Sequence, residues 1–174
     1  MAYAKTTWVN GGAPPISAAN LNHLETQYDE ANTIKRKTSN ETVNNSTALQ
    51  NDDHLLFAVA ANEVWEIEVL AIVLTTVAAG SKFAFTVPVA GALSIIWQDA
   101  HGHNLANSCL ISLEDGTAAH AFVGVAANEW LWIKGLYVGG ANAGNLQLQW
   151  AQSAAVAVDT KVLTNSYLIA HKLA

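Results

Sequence analysis

The 174-residue chain suits one domain, and a chain of this size hides roughly 70% of its unfolded surface on folding. Its net charge of −6 argues against nucleic-acid binding, because phosphate contacts need a basic stripe and the one basic cluster is Lys35, Arg36 and Lys37. The single cysteine, Cys109, excludes an intrachain disulfide framework. No apolar run approaches the ~20 residues that cross a bilayer, so we expect no membrane insertion.

The composition is unusually poor in charge. Hydrophobic residues make up 51% of the chain and charged residues 13%, about half of the ~25% of an ordinary soluble domain. Either alanine enrichment or coverage of the surface by other subunits explains this, and the strand patterns below favour coverage. The N-terminus lacks the apolar segment of a signal peptide, so we expect synthesis and folding in the cytoplasm.

Residues 1–37 predict an N-terminal arm followed by one short helix, which together serve as an anchor and an oligomerisation element. Pro14 and Pro15 keep the approach extended, and Ser17 is the expected N-cap of a helix over residues 18–34. The apolar side chains of this helix form a narrow stripe: Leu21, Leu24, Tyr28 and Ala31, with Ile34 just beyond. Because so short a helix is marginal alone in water, the stripe needs a partner. That partner is either the chain's own sheet or the same helix of sister subunits.

Residues 38–53 are polar and predict a linker, whereas residues 54–174 predict strand after strand. Apolar segments recur at regular spacing over residues 55–60, 64–75, 82–87, 92–98, 108–113, 120–125, 130–138, 146–152 and 161–173. This pattern is typical of an all-β antiparallel sandwich. The sequence V-A-A-N-E of residues 59–63 recurs at 125–129. Two similar halves suit a jelly-roll-like sandwich, although shared turn chemistry also explains the repeat.

The segment 64–75 suggests a subunit interface. One face carries an unbroken apolar set: Trp65, Ile67, Val69, Ala71 and Val73. The other face begins with two glutamates and continues with Leu70, Ile72 and Leu74. The strand is therefore predicted to begin half-exposed and to end buried on both faces, which a monomeric sandwich seldom needs. Contact with another subunit over Leu70, Ile72 and Leu74 explains this pattern.

No motif of catalysis or cofactor binding is present, so we expect neither an enzyme nor a bound cofactor. The chain has no Gly-rich phosphate loop, no G-x-S-x-G elbow and no H-E-x-x-H helix. The acids Asp52, Asp53, Asp99, Glu114 and Asp115 stand where solvated turn residues are expected. A carboxylate pair for glycoside hydrolysis among them is the less favoured alternative.

Two further groups are candidate binding residues. His101 and His103 are two apart, so an extended backbone points both to one side, and on a threefold axis they could ligate a transition metal. An exposed loop is the favoured interpretation of that segment. Trp130 and Trp132 share a face and follow a turn, which makes them either core or interface residues or a platform for a sugar ligand.

The segment from Thr7 to Glu25 resembles one found at the start of tailed-bacteriophage structural proteins. In that family, Trp-x-(Asp/Asn)-Gly and a proline precede a helix with the pattern Ala-x-Asn-Leu-Asn-x-(Ile/Leu)-Glu, and Trp8, Pro14 and Leu21 fall in the matching places. The segment from Leu146 onward is similar, more loosely, to the closing strands of small phage β-sandwich heads. There, Thr164 and Asn165 stand where a turn containing glycine is more usual.

The resemblance implies a virion surface protein, often trimeric, that is assembled in the host cytoplasm. Trp8, Pro14 and Pro15 would anchor the arm to other virion proteins of the capsid or tail, and Leu21, Leu24 and Tyr28 would line the helix contact. Because no long fibre shaft is present, the resemblance favours a homotrimeric capsid decoration or head-fibre protein. The alternative is a tail-fibre or receptor-binding protein that recognises a host surface glycan or protein, with Trp130 and Trp132 in its site.

Overall fold

The computed structural model of the protein describes residues 18–99 and 113–174. The predicted anchor residues Trp8, Pro14 and Pro15 lie outside this part of the chain, as do His101 and His103. The side chain of Tyr28 is also outside it. What the sequence predicts for these residues therefore stays a prediction.

The described residues form one helix and twelve strands. The helix, α1, is Ala18–Ala31. In chain order the strands are β1 Asn32–Arg36, β2 Glu41–Asn44, β3 Gln50–Val59, β4 Val64–Leu74, β5 Ser81–Thr86, β6 Ala92–Asp99, β7 Leu113–Asp115, β8 His120–Phe122, β9 Asn128–Val138, β10 Gly144–Ala151, β11 Asp159–Val162 and β12 Tyr167–Lys172. No helix of the described residues is long and apolar enough to cross a membrane.

Three predicted boundaries are wrong. The helix ends at Ala31 instead of residue 34, and Ile34 belongs to β1. The predicted linker over residues 38–53 contains β2 and the start of β3, and β2 escapes notice because Val43 is its one buried side chain. The predicted strand 161–173 covers the end of β11 and all of β12, which are joined by a turn in which Asn165 has a φ of 69°. Asparagine tolerates this left-handed conformation, so the turn forms without a glycine.

The strands of the first half of the chain pair antiparallel with those of the second half, in a nested order. β1 pairs with β12, β3 with β10, β4 with β9 and β5 with β8, so strands of the first half meet those of the second half in reverse order. The large sheet contains the order β1-β12-β4-β9-β6-β7, with β11 and β2 joined beside β4, and the small sheet has the order β3-β10-β5-β8. This nested pairing across two sheets is a jelly roll. The predicted all-β sandwich is confirmed.

The core lies between the facing sides of the two sheets. Residues of β4 alternate between buried and half-buried, and the buried set is the predicted one: Trp65, Ile67, Val69, Ala71 and Val73. The small sheet supplies large side chains against them, among them Phe57, whose ring meets Trp65 edge-on with centroids 5.1 Å apart. Each such apolar side chain contributes roughly 1.5–3 kcal/mol when fully buried.

The two ends of the sandwich receive different parts of the chain. Asn32 at the start of β1 pairs with His171 near the end of β12, and His171 in turn pairs with Glu66 near the start of β4. Helix α1 therefore joins the sandwich where β4 begins, which we call the proximal end. The turns 60–63, 87–91 and 139–143 lie at this end, whereas the connections 45–49, 75–80, 123–127 and 152–158 lie at the opposite, distal end.

Two leucines of the α1 stripe are not buried by the chain's own sheet. The helix contacts β1 and β12, yet Leu21 is 50% and Leu24 is 40% exposed. The alternative in which the chain's own sheet buries these two leucines is therefore wrong. Contact with sister subunits stays a prediction.

The repeated V-A-A-N-E segments form two turns at opposite ends of the β4–β9 pair. In the first, the Glu63 carboxylate accepts a hydrogen bond from the Ala60 backbone N–H at 2.8 Å and from the Trp65 indole at 3.0 Å. In the second, the Glu129 carboxylate accepts a hydrogen bond from the Val125 backbone N–H. A carboxylate that satisfies a turn N–H is common to both, which supports shared turn chemistry as the explanation of the repeat.

Candidate interaction surface

The outer face of the large sheet carries several exposed and half-buried apolar side chains. β4 pairs with β9 so that Trp130 lies opposite Ile72 and Trp132 lies opposite Leu70. On the other side of β4, Tyr167 of β12 also lies opposite Leu70. Because side chains of a strand alternate between faces, all of these project away from the core. We call Leu70, Ile72, Leu74, Trp130 and Trp132 the tryptophan patch.

The tryptophan patch unites two sets of residues that the sequence predicts separately. Trp130 is 53% and Trp132 is 41% exposed, and the three aliphatic residues of β4 are half-buried. The chain's own strands therefore do not cover this face of β4, and its burial by another subunit stays a prediction. Antiparallel sheets usually carry polar side chains on the face that meets water, so this exposed apolar face is one that a partner could cover.

Further apolar residues extend the outer face beyond the patch. Among them are Ile34 of β1, Ile96 of β6, Ile169 of β12 and Leu136 of β9. Ile34 is 72% exposed. Sequence analysis missed their common face because pairing between strands decides it. One signal for this face was present in the sequence of β12. Its side chains alternate in the same way as those of β4: Tyr167, Leu168, Ile169 and Ala170.

Charges on the outer face balance each other. Lys134 Nζ lies 2.8 Å from Glu66 Oε1, and Glu68 lies directly opposite Lys134 in the β4–β9 register. The hydrogen bond and charge of Lys134 lower the pKa of Glu66, and those of Glu66 raise the pKa of Lys134. With Arg36 of β1, this face of the strands β1, β12, β4, β9 and β6 carries two acidic and two basic side chains. The face is therefore neutral on a chain of net charge −6.

A second cluster, which sequence analysis missed, is a buried ion pair inside the sandwich. The Lys37 side chain is fully buried, and its ammonium lies 2.6 Å from Glu41 Oε1 and 2.7 Å from the buried Asp52 Oδ2. The other oxygen of Asp52 accepts the backbone N–H groups of His54 and Leu55. The cluster ties the end of β1 to β2 and β3. No sequence pattern reveals it, because its members come from three segments.

The same cluster offers three groups that could ligate a metal. One ligand atom each from Glu41, Asp52 and His54 lie within 4.8 Å of one another. The Lys37 ammonium bonds both carboxylates, so a cation of the chain itself already lies between them. The arrangement therefore fits a structural ion pair.

A third polar group lies near the end of β7. The Glu114 Oε2 atom lies 3.1 Å from the Trp97 indole nitrogen and 2.7 Å from His120 Nδ1. The ring of His120 stacks on Trp97 with centroids 5.7 Å apart. Beside it, a shallow cavity of about 390 Å³ is lined by Ser94, Asp115 and Thr117 among others. The Asp115 carboxylate accepts two hydrogen bonds from Thr117, which lower its pKa and leave it satisfied within its own turn.

The loops of the distal end are uncharged. The four connections contain no charged residue, and the buried Gln152 joins two of them, 45–49 and 152–158. The amide of Gln152 accepts the backbone N–H groups of Ser46 and Val156 and donates to the Val156 and Val158 carbonyls. Such a fully bonded buried amide fixes the loops relative to one another.

Comparison with known proteins adds no identification. No protein-family model matches the chain, and no curated protein sequence is similar to it at a significant level.

Proposed function

We propose that this protein is a non-catalytic structural protein of a tailed-bacteriophage particle. In this proposal it is a homotrimeric capsid decoration or head-fibre protein. The arm at residues 1–17 attaches it to other virion proteins, and the sandwich projects outward.

The observation that carries the proposal is the junction between α1 and β1. The segment that resembles phage structural proteins ends within α1, and β1 begins at the next residue after the helix, at the proximal end of the sandwich. A particle that holds the arm and α1 therefore presents the distal end away from its surface. The jelly roll and the neutral apolar outer face are consistent with a subunit that works in an oligomer.

The alternative is a tail-fibre or receptor-binding protein. Its binding site would lie either on Trp130 and Trp132 or on the uncharged distal loops. The neighbours of the two tryptophans on β4 favour the first proposal, because Leu70 and Ile72 offer no hydrogen bonds to sugar hydroxyls. Sites for small polar ligands combine aromatic faces with several placed polar groups, and Gln98 of β6 is the one such group directly opposite Trp132. Glycan-array binding that is lost in Trp130→Ala would support the alternative.

Cryo-electron microscopy of the intact particle tests the proposal. Density for the sandwich in regular copies over the capsid shell is the expected result, with the distal end outermost. Density confined to the tail tip would replace the first proposal by the alternative. Particles that lack the protein altogether would contradict both.

A further inference from the structure

We infer that the outer face of the large sheet packs against the same face of neighbouring copies of this chain, with the tryptophan patch at the centre of the contact. This inference rests on the oligomer of the proposed function and names its contact surface. It assigns Trp130 and Trp132 to subunit contact instead of ligand binding.

The size of the face matches what a specific contact needs. Its five neighbouring strands, β1, β12, β4, β9 and β6, have 5 to 11 residues each. At about 3.3 Å per residue and about 4.8 Å between strands, they cover roughly 650 Å² in projection. A standard-size interface buries about 800 Å² per partner. One sheet face of this chain therefore comes close to supplying a stable contact.

The composition of the face also fits a second copy. The centre of a protein interface is rich in aromatic residues and poor in charge, with a polar rim. Here Trp130 and Trp132 lie beside aliphatic side chains of β4, and Gln98 of β6 lies on the other side of Trp132. The charged Glu66, Glu68 and Lys134 lie on the proximal side of the same strands. The two tryptophans are the residue type most often found to dominate binding energy.

Charge explains why the neighbour is another copy of this chain. The molecule carries a net charge of −6, so two copies repel each other through most of their surface. The outer face of the five strands is neutral, and its Glu66–Lys134 pair is bonded within one chain. Two copies can therefore meet through this face without a net charge repulsion. In this contact, each copy covers the exposed apolar side chains on the outer face of the other copy.

Sedimentation velocity of the purified full-length protein tests the inference. Wild-type protein is compared with Trp132→Glu and Ile72→Glu, which place a charge in the patch, and with Val123→Glu. Val123 lies in a distal turn and is 71% exposed, so its substitution adds the same charge outside the face. We expect both patch substitutions to weaken association at least about 30-fold, the factor that corresponds to a hot-spot residue, whereas Val123→Glu leaves association unchanged. Far-UV circular dichroism checks that each variant is folded.

A second measurement keeps the test independent of folding effects. Hydroxyl-radical footprinting of wild-type protein should show oxidation of Trp130 and Trp132 rising at least several-fold on dilution below the dissociation constant. Oxidation of the exposed Val89, in a proximal turn, should stay constant as the control. An oligomer that persists in both patch variants, or a wild-type protein that is monomeric at all concentrations, would overturn the inference.

These outcomes are separate from those of the proposed function. A patch-dependent oligomer that is absent from particles supports this inference and contradicts the virion role. Protein located on particles whose oligomer ignores Trp132→Glu supports the virion role and contradicts this inference. In that second case Leu24→Asp in α1 is expected to dissociate the oligomer.

Discussion

The inner and outer faces of β4 are built from the same kind of side chain but differ in what covers them. The inner face packs Trp65, Ile67 and Val69 against the small sheet and excludes water completely. The outer face carries Leu70, Ile72 and Leu74 in the same alternation, and the chain itself leaves them partly exposed. The same rule of alternation thus produces one core that folding completes within the chain and one apolar face that folding leaves open. The difference shows that a hydrophobic strand pattern predicts burial but not the partner.

The comparison extends to the ion pairs of the two faces and gives the largest expected effect. Lys37→Met should lower the free energy of unfolding by about 3–5 kcal/mol, because it leaves the buried Asp52 without its countercharge. Lys134→Met removes the partner of Glu66 on the exposed outer face, where solvent screens such pairs and they add little to stability. Urea denaturation of both variants measures the difference. Equal losses in the two variants would contradict the distinction between the faces.

Truncation of apolar residues on each face sharpens the comparison next. Ile67→Ala opens a cavity in the core and should lower the free energy of unfolding by about 2–5 kcal/mol at any protein concentration. Ile72→Ala removes the same atoms from the outer face. This substitution should mainly weaken association between copies. Because association stabilises the folded state, the melting temperature should then depend less on protein concentration. Calorimetry over a hundredfold range of concentration separates the two effects.

A close approach within the large sheet gives a smaller effect. A Cβ atom added to Gly135 would lie 2.5 Å from Ile95 Cγ2 and 2.7 Å from the backbone oxygen of Ser94. Gly135→Ala should therefore cost about 1–3 kcal/mol, the usual range for an overpacked core. The neighbouring Leu136→Ala, on the outer face, is the matched control and should cost less. A neutral Gly135→Ala in chemical denaturation would mean that β6 and β9 separate easily.

The smallest expected effect concerns pH and the proximal turn. Burial alone would raise the pKa of Glu63, but its hydrogen bonds with Lys172, the Ala60 N–H and the Trp65 indole together lower that pKa below its ordinary value of 4.5. A lowered pKa in the folded state stabilises the protein above about pH 4.5, and the stabilisation is lost as the pH falls through the folded-state pKa.

Glu63→Gln should therefore flatten the acid side of the curve of melting temperature against pH. Near pH 7 it should cost about 1 kcal/mol, or roughly 2–4 °C. Thermal melts between pH 3 and 7 measure both quantities. Asp53→Asn, which changes an exposed acid of β3, is the control. If the melting temperature of Glu63→Gln falls with decreasing pH as steeply as that of the wild type, other carboxylates cause the loss of stability in acid.

The sequence predicts the sandwich because β4, β9 and β10 alternate strongly, and their apolar sides fall on the core as expected. It misses β1 because Ile34 continues the helical spacing of Leu21, Leu24 and Ala31, and only pairing with β12 makes that segment a strand. It cannot join Trp132 to Leu70 in one surface, because that neighbourhood depends on the register between two strands more than 50 residues apart. The burial of Lys37 is equally hidden, since Asp52 reaches it only in the folded sandwich.

The nested pairing of the jelly roll also decides when each strand can pair during synthesis of the chain. β1 pairs only with β12 in its sheet. Asn32 therefore pairs with His171, a residue 139 positions later in the chain. Contacts so distant in sequence form slowly, typically in milliseconds to seconds for all-β domains. During translation the strand that follows α1 has no strand to pair with in its sheet until nearly the whole chain has left the ribosome. A truncated product therefore carries the helix without the sandwich that should position it, and only complete chains present both together.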